Sequence, residues 1–406
     1  MKIILATCGS RGDVQPLIAL GSGLLNAGHD VMICASPEHA AWVENYRLPF
    51  KAVGSNVMKF LETHSNVHSL KAITGFVRFI RQEVRVQLEK LPEIIAGADM
   101  VIGSSLLVGA RTAAESVNVP YYYMVFCPQI IPSKHHPMLH VRNHRLPTWL
   151  NRFSWWFFKH LDANVNYRKL INTERTKHGL PPVSDVFSHL LGNHVIVATD
   201  PLLGTVPDDV KIPFTQTGYL HLDQQGSLPD DLEEFITAGS PPVFMGFGSM
   251  PSEDPQKTTQ ILLHAARTAG ARVVLSRGWA NLAGDHNDRD VYFANDLPHN
   301  RLFPQMAAVA HHGGAGTTAN AAKAGVPQII VPHITDQFYW GHQIHRKRLG
   351  PKPIQRSHLT APRLAEAITA CISDPVYAHT ARNYSAKLNM QTPVENAIKV
   401  IEGLPR

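Results

Sequence analysis

The sequence predicts an α/β fold of two Rossmann-like domains whose parallel sheets face each other across a cleft. Continuous apolar, β-prone runs alternate with helical stretches in both halves of the 406-residue chain, a pattern typical of parallel sheets covered by helices on both faces. Predicted strands lead straight into glycine-rich turns at Gly9–Asp13, Gly246–Ser249 and His311–Thr318. Because ligands in such folds bind beyond the carboxyl ends of strands, these turns indicate where the site lies.

The first half opens with the strand Ile3–Thr7, which is almost wholly apolar. After a turn we expect a helix from about Val14 to Ala27, in which Pro16 suits the first turn and Gly28 the position after the end. The remaining elements of this half are predicted as the strands Val31–Ala35, Val101–Gly103, Tyr121–Val125 and His194–Ala198, with a helix near Gly109–Val117.

The second half starts after the loop His221–Pro229 and repeats the alternation. Its predicted strands are Pro242–Ser249, Arg272–Ser276, Val291–Phe293, Val309–His311 and Gln328–Pro332. Its predicted helices are Thr258–Ala269, Leu364–Ile372, Tyr377–Leu388 and Pro393–Glu402. We therefore expect a first domain over 1–220, a linker over 221–230, a second domain over 231–388, and a terminal segment over 389–406 that packs back on the first domain.

Composition excludes several classes of protein. Hydrophobic residues make up 44% and charged residues 17% of the chain, so large cores can form and a disordered tail is excluded. The net charge of +6 is spread over scattered Lys and Arg with 32 interspersed acids, which fits a basic cleft for a diphosphate better than a nucleic-acid surface. We expect no nucleic-acid partner, and the oligomeric state is not readable.

Targeting and metal signals are absent from the sequence patterns. The four cysteines form no C-x-x-C pair and are expected to be reduced, buried thiols. The 23 histidines include no set with the spacing of metal ligands. The first residues run straight into a strand without a signal-peptide layout, and no apolar run reaches the roughly 18–20 residues of a bilayer span. The expectation is a cytoplasmic protein.

The turn after His311 has the chemistry of an anion site. A helix is expected to start there, and the first amides of a helix are unpaired donors. Glycines without Cβ atoms let a diphosphate approach the backbone closely. The residues expected to contact the diphosphate in this turn are His312, Gly314, Ala315, Gly316 and Thr317.

An aromatic-dense, partly amphipathic stretch breaks the alternation between Ser133 and Leu190. Three interpretations stay open: packing in the core and between the domains, the wall of a lipophilic acceptor pocket, or a weak peripheral contact with a membrane surface. For the second interpretation the candidate lining residues are Phe126, Trp149 and Trp155.

Five motifs in order together resemble the nucleotide-sugar-dependent glycosyltransferases with the GT-B fold, in particular the bacterial antibiotic and sterol types. They begin at Gly9, Gly246, Pro298, His311 and Asp336 and read GSRGDVQP, GFGSM, PHNRLFP, HHGGAGTT and DQFYWG. The resemblance implies transfer of a hexose, with UDP-glucose as the expected donor, to a hydroxyl of a lipophilic acceptor such as a sterol, terpenoid, polyketide or phenolic. The chain departs from the family at Arg301, where the sterol type has Trp, and at Asn320, where plant members have a ribose-binding acid.

The resemblance also assigns a catalytic base. Asp13 matches the family's base position, and a carboxylate at the mouth of the cleft can take the acceptor proton. The competing interpretation of Asp13 is a helix N-cap. Plant relatives pair their base with an acid about ninety residues later, where this chain has Ser104 and Ser105, so no such dyad is expected.

Further donor contacts follow from the same resemblance. Asp336 and Gln337 match the pair that hydrogen-bonds the hexose hydroxyls, and a cap at Asp336 is the alternative. His312 matches the family's phosphate-contacting histidine, while His311 is expected to be structural. The other candidates for donor diphosphate or nucleotide contact are Ser10, Arg11, Gly12, Ser249 and Trp279. For Arg11 the alternative is exposure to solvent. For Ser249 the alternative is simple turn chemistry, and for Trp279 it is packing.

The expected mechanism is a single displacement with inversion. The leaving diphosphate would be stabilised by helix amides and His312, so no metal is obligatory. Two alternatives stay open: a nucleotide-sugar epimerase of similar build, and a non-catalytic accessory protein that binds a sugar nucleotide. The aromatic stretch argues against the first, and the presence of Asp13 with the Asp336–Gln337 pair argues against the second.

Overall fold

Two parallel sheets form the framework of the molecule, as the sequence predicted. The computed structural model of the chain describes residues 1–57, 70–248, 250, 254–277 and 288–405. A seven-stranded sheet has the order β3-β2-β1-β4-β5-β6-β7, and a five-stranded sheet has the order β10-β9-β8-β11-β12. The strands are β1 Lys2–Cys8, β2 Asp30–Ala35, β3 Phe50–Ala52, β4 Met100–Ser105, β5 Tyr121–Val125, β6 Val195–Val197, β7 Phe214–Gln216, β8 Val243–Gly246, β9 Val273–Ser276, β10 Val291–Ala294, β11 Ala308–His311 and β12 Gln328–Ile330.

Helices connect the strands and cover both faces of each sheet. In the first half they are α1 Arg11–Asn26, α2 Ala40–Glu44, α3 Leu70–Ile95, α4 Ala110–Ser116, α5 Thr148–Phe157, α6 Asn164–Lys177 and α7 Val186–Leu191. In the second half they are α8 Asp230–Thr237, α9 Pro255–Thr268, α10 His299–Leu302, α11 Ala315–Ala324, α12 Gln337–Arg346, α13 Ala361–Ser373, α14 Pro375–Leu388 and α15 Pro393–Glu402. A π-helical segment over Phe158–Ala163 joins α5 to α6.

Side chains of β1 alternate between the two faces of the first sheet. Ile4 belongs to one apolar cluster, while Ile3 and Leu5 belong to the other. This is the two-residue period of a strand that is buried on both faces. The second of these clusters also takes in Ala397 and Ile401 of α15, both fully buried, so the end of the chain packs on the first domain beside α1.

Several boundaries differ from the sequence analysis. The helix α1 starts at Arg11, three residues earlier than expected, so Pro16 lies inside it and the expected place of Pro16 in the first turn is wrong. Gly28 does adopt positive φ (+87°) directly after the C-cap, as predicted. The helix Leu70–Ile95 was not predicted, although Ile80, Val84, Leu88, Leu91 and Ile95 recur in it at helical spacing and are buried.

The cysteines confirm their prediction, since all four are buried and unpaired. No helix in the described part of the chain has the length and hydrophobicity that a bilayer crossing requires. The first sheet ends with β7 at Gln216, and the second begins with β8 at Val243. The predicted limits of the domains and linker stay a prediction.

Candidate active site

Asp13 is held at the start of α1 by the residue that caps this helix. The Ser10 backbone N–H donates to Asp13 Oδ2 at 2.7 Å, and the Ser10 hydroxyl donates to the same oxygen at 3.2 Å. Ser10 is the N-cap and Asp13 stands three residues further on, the arrangement of a capping box. The alternative of Asp13 as the N-cap is therefore wrong, because the helix begins earlier than the sequence suggested.

Asp13 has a second side-chain partner at the position where plant relatives carry an acid and where no dyad was expected. The Ser105 hydroxyl donates to Asp13 Oδ1 at 2.5 Å. Ser105 ends β4 with a φ of +58°, and its carbonyl accepts a bond from the Tyr123 hydroxyl at 2.5 Å. The register of the sheet explains this contact, because the pairing of β1 with β4 places Ser105 beside Cys8, just before the turn that leads to Asp13. A carboxylate held on both oxygens has a fixed orientation.

The surroundings of Asp13 favour a base that titrates above the usual range of an aspartate. Burial raises the pKa of Asp13, while hydrogen bonds from Ser105 and Ser10 and the nearby His39 lower it, with a net rise. The residue is half-buried, so it still reaches solvent. Gly9 makes room for it, because a Cβ at Gly9 would lie 2.2 Å from Asp13 Oδ2.

The glycine-rich turn of the second domain forms the predicted helix N-terminus. Gly314 is the N-cap of α11, and the first intrahelical bond runs from the Thr318 N–H to the Gly314 carbonyl at 3.0 Å. The amides of Ala315, Gly316 and Thr317 precede that bond, so they remain as donors for an anion. Gly316 also lets Tyr219 approach, since a Cβ there would meet the tyrosine hydroxyl at 2.7 Å.

His312 lies beside these amides with an unused ring nitrogen. The side chain is 9% exposed, and its Nδ1 has no hydrogen-bond partner among the described residues. Burial lowers the pKa of His312 to about 4, so the ring is neutral at pH 7 and donates from one nitrogen only. Gly314 and Gly248 enclose the ring, and a Cβ on Gly314 would lie 2.4 Å from His312 Nε2.

His311 has a different set of contacts. Its Nδ1 accepts from the Gly313 N–H at 3.1 Å, which leaves the proton on Nε2, 3.0 Å from Gln328 Oε1. Burial lowers the pKa of this histidine to about 3. The ring therefore joins the turn to β12.

Asp336 faces Asp13 across the cleft. Burial raises the pKa of Asp336 to about 6, and the negative charge of Asp13 contributes to that rise. Thr335 precedes it with a φ of +48° and donates its hydroxyl to Asp336 Oδ1 at 3.0 Å. Asp336 occupies the N-cap position of α12, as the alternative of a cap predicted, but its carboxylate makes no capping hydrogen bond to that helix. The contribution of the Asp13 charge to its pKa indicates that the two carboxyl groups interact electrostatically.

Gln337 supports the loop that carries Asp336. Its Oε1 accepts from the His333 N–H at 2.8 Å and the Ile334 N–H at 3.1 Å, and its Nε2 lies 3.4 Å from Met250 Sδ. Both lone pairs of the amide oxygen are thus used within the protein. The amide oxygen of Gln337 is thus engaged by the loop, and its role in binding the hexose stays a prediction.

Arg11 joins the two domains in place of facing solvent. Its guanidinium forms an ion pair with Asp296 and lies over the Trp42 ring, 4.7 Å from the centroid. The Asp296 side chain is 81% exposed, so this pair is open to solvent and easily broken by a charged ligand. Phosphate contacts of Ser10, Arg11 and Gly12 stay a prediction.

The three candidate acceptor residues lie in different environments. Trp149 is 66% exposed on α5. Phe126 and Trp155 are buried in the clusters on opposite faces of the first sheet, and the Trp155 indole donates to the His136 carbonyl at 3.2 Å. The structure does not bring these three rings into one pocket wall. Ser249 and Trp279 lie outside the described residues.

A loop between β5 and α5 contacts the second domain close to Asp336, which agrees with the interpretation of this stretch as packing between the domains. The His136 ring meets Tyr339 of α12 edge-on, with centroids 6.5 Å apart, and the His144 ring stacks on His342 at 5.5 Å. Burial lowers the pKa of His136 to about 4 and that of His144 to about 3. These neutral rings fill the contact between the loop and α12.

One grouping in the described part of the chain has the spacing of metal ligands, namely His135, Asp208 and Asp209. Asp209 already accepts bonds from the Ser133 hydroxyl at 2.6 Å and the Lys134 N–H at 2.8 Å. The grouping includes none of the cleft residues. That no metal is obligatory stays a prediction.

The departure at Asn320 has a structural counterpart. The Asn320 side-chain oxygen lies 2.8 Å from His221 Nδ1. His221 thus contacts the position where plant relatives carry a ribose-binding acid.

Comparison with known families gives two matches. A model of the glycosyltransferase family 28 N-terminal domain matches residues 3–134. A model of the erythromycin biosynthesis protein CIII-like C-terminal domain matches residues 280–402. The first match covers strands of the seven-stranded sheet, and the second covers strands of the five-stranded sheet.

Similar proteins include bacterial and eukaryotic glucosyltransferases. The vancomycin aglycone glucosyltransferase of Amycolatopsis orientalis is 34% identical over 378 residues, which cover 91% of this chain and 90% of that protein. The sterol 3-beta-glucosyltransferase of Candida albicans is 30% identical over 428 residues, which cover 98% of this chain and 27% of that protein.

Solved structures share the whole architecture at low identity. The glycosyltransferase VinC, solved in complex with dTDP, superposes with a TM-score of 0.69 at 20% identity and covers 99% of both chains. The glycosyltransferase of kitacinnamycin superposes with a TM-score of 0.73 at 20% identity, covering 100% of this chain and 99% of that one.

Proposed function

The chain belongs to the nucleotide-sugar-dependent glycosyltransferases with the GT-B fold, and we propose that it is an inverting hexosyltransferase acting on lipophilic acceptors. The proposed donor is a pyrimidine nucleoside diphosphate hexose, with UDP-glucose first. The proposed acceptor is a hydroxyl of a sterol, terpenoid, polyketide or phenolic. The observation that supports the proposal is the fixed orientation of Asp13, whose carboxylate accepts hydrogen bonds from Ser10 and Ser105, together with the contribution of its charge to the raised pKa of Asp336.

The proposed reaction is a single displacement. Asp13 takes the proton of the acceptor hydroxyl as its oxygen attacks the anomeric carbon. The bond from that carbon to the diphosphate oxygen breaks, and the leaving electron pair stays on the diphosphate. In this single displacement the acceptor oxygen attacks the face of the anomeric carbon opposite the departing diphosphate, so the proposed outcome is inversion.

The leaving group is proposed to be stabilised by the chain alone. The free amides at the start of α11 and the neutral His312 are fixed donors, and the helix dipole favours the new negative charge. No metal is needed for this step. The epimerase alternative would need further acid–base groups around the sugar, and the accessory-protein alternative would not need Asp13 to be oriented by Ser105 and Ser10.

Donor selection is tested with a panel of UDP- and dTDP-hexoses against a mixture of hydroxylated acceptors. We expect release of nucleoside diphosphate that depends on acceptor, with UDP-glucose the best donor. NMR of the purified product should show a β-linkage from the α-linked donor. Retention of the anomeric configuration would exclude the single displacement. Release of nucleoside diphosphate without any glycosylated product would contradict the proposed transfer to an acceptor.

Asp336 is expected to control the affinity for the sugar part of the donor. In the Asp336→Asn variant the ratio of the affinities for UDP-glucose and UDP should fall about tenfold or more, because hydrogen bonds to a charged group contribute about 1.5–3 kcal/mol. Its pKa of about 6 means that the carboxylate is present above that pH. The wild-type ratio should therefore decrease as the pH falls through 6.

Calorimetric titration of both ligands between about pH 5 and about pH 7, one unit on each side of that pKa, measures this ratio. The matched control is Asp290→Asn, an exposed carboxyl of the same domain, which should leave the ratio unchanged. A ratio of the two affinities that changes with neither the substitution nor the pH would contradict a role of Asp336 in sugar binding.

A further inference from the structure

Helix α5 presents a ladder of aromatic rings to solvent. Trp149, Phe153, Trp156 and Phe157 are 66%, 53%, 52% and 50% exposed. They recur at spacings of three and four residues, so they share one face of the helix. Phe153 stacks on Trp156 with centroids 5.8 Å apart. The opposite face holds the buried Asn151 and Trp155, so the ladder is a second, unpartnered apolar surface of an amphipathic helix.

The segment of the chain that contains the ladder is rich in positive charge. Residues 140–169 contain six Lys or Arg and a single acid, Asp162. Five of the basic residues are exposed, namely Arg142, Arg145, Arg152, Arg168 and Lys169. Lys159 pairs with Asp185 at 2.7 Å. With six basic residues and one acid, residues 140–169 carry much of the net charge of +6 of the whole chain.

The surface adjoins the acceptor side of the cleft. The loop that leads into α5 carries His136 and His144, which pack on Tyr339 and His342 of α12. The first residue of α12 follows Asp336 directly. A partner that binds the ladder therefore lies next to the entrance through which an acceptor reaches Asp13.

Charge decides between the possible occupants. A second copy of this chain would bring two basic surfaces together around the aromatic rings, which is repulsive. An anionic bilayer satisfies both features at once, because Trp and Phe enter the interfacial region while Lys and Arg meet the head groups.

We propose that the α5 ladder is a docking surface for anionic membranes, from which the enzyme takes its lipophilic acceptor. Docking itself is independent of the catalytic chemistry, and only the source of the acceptor rests on the proposed function. The rings lie at the depth of the head groups, and the flanking guanidinium groups supply the charge-dependent part of the binding.

Co-sedimentation of the full chain with vesicles tests the proposal without donor or acceptor. Vesicles of phosphatidylcholine with about one third phosphatidylglycerol should bind the protein, pure phosphatidylcholine vesicles should bind it weakly, and added salt should release it. The variant Phe153→Ala, Trp156→Ala, Phe157→Ala should lose about tenfold or more of the partitioning. The charge variant Arg145→Glu, Arg152→Glu should lose a similar amount and respond less to salt.

The control variant is Ile372→Ala, Val376→Ala, Met390→Ala, which removes three exposed apolar side chains of the second half of the chain. It should bind vesicles like the wild type, and UDP binding should verify that each variant is folded. Equal sedimentation of wild type and both α5 variants would overturn the proposal, as would a wild type that binds no vesicle. A dimer that dissociates only in the aromatic variant would assign the surface to a second copy and also overturn it. None of these outcomes bears on Asp13, so failure here is distinct from failure of the proposed reaction.

Discussion

Replacement of Asp13 by asparagine is expected to lower the turnover of sugar transfer about 10²–10⁴-fold, the contribution of a positioned general base. The amide keeps the size of the side chain and can still accept the Ser10 N–H. It cannot take a proton from the acceptor hydroxyl. UDP affinity should stay near that of the wild type, because the proposed diphosphate site lies mainly in the second domain. Initial rates together with calorimetry of UDP binding measure both quantities.

Ser105→Ala provides the matched test of how Asp13 is positioned. This variant keeps the carboxylate but removes the donor to Asp13 Oδ1. Because that hydrogen bond lowers the pKa of Asp13, its loss should raise the pKa, so the acidic limb of the kcat/KM profile should move to higher pH. We expect a loss of about tenfold in kcat, from a bond worth about 1.5 kcal/mol to a charged group.

Asp30→Asn, an exposed carboxyl at the start of β2, is the control for surface charge and should retain activity. Full turnover by Asp13→Asn would remove this residue from the mechanism. A Ser105→Ala profile that keeps its wild-type midpoint would show that Ser105 supports the fold and does not tune the base.

Replacement of His312 by alanine is expected to reduce kcat about 10²–10³-fold, as for the loss of one preorganised donor to a developing charge. The ring is neutral at pH 7 because burial lowers its pKa to about 4, and its Nδ1 has no partner among the described residues. The variant should also bind UDP more weakly, since the product carries the charge that the ring contacts. Single-turnover rates and UDP titration measure the two effects.

His311→Ala separates the chemical role from the structural one. His311 bonds Gly313 and Gln328, so its removal leaves a buried amide and a buried backbone N–H without partners, at about 1–3 kcal/mol each. Thermal unfolding should therefore shift further for His311→Ala than for His312→Ala. Wild-type kinetics in His312→Ala would contradict the assignment of the leaving-group site to this turn.

Local sequence patterns were sufficient for the architecture. The apolar run at Ile3 forms a strand, and the glycine-rich turn leads into a helix at Ala315, as the alternation of strands and helices predicted. The strand was predictable because burial on both faces requires apolar residues along its length. The expected start of α1 was wrong by three residues, since Ser10 and Asp13 are both compatible with a cap and only the folded chain selects between them.

Long-range contacts were beyond these patterns. Nothing near Asp13 in the sequence indicates Ser105, and nothing near Arg11 indicates Asp296. Gln337 was predicted as a sugar ligand from its motif, yet its oxygen is used by the loop before it. Such pairings depend on sheet register and on how the two domains approach, neither of which has a local signature.

The sequence by itself determined two sheets, an anion-binding turn and two acidic residues at strand ends, because each follows from which residues can be buried or left without a side chain. Only the tertiary structure decided that Asp13 is oriented by Ser105, that Asp13 and Asp336 repel each other across the cleft, and that one face of α5 remains outside the core. The physical reason is that burial and electrostatic interaction depend on distances in space, and chain order alone does not fix those distances.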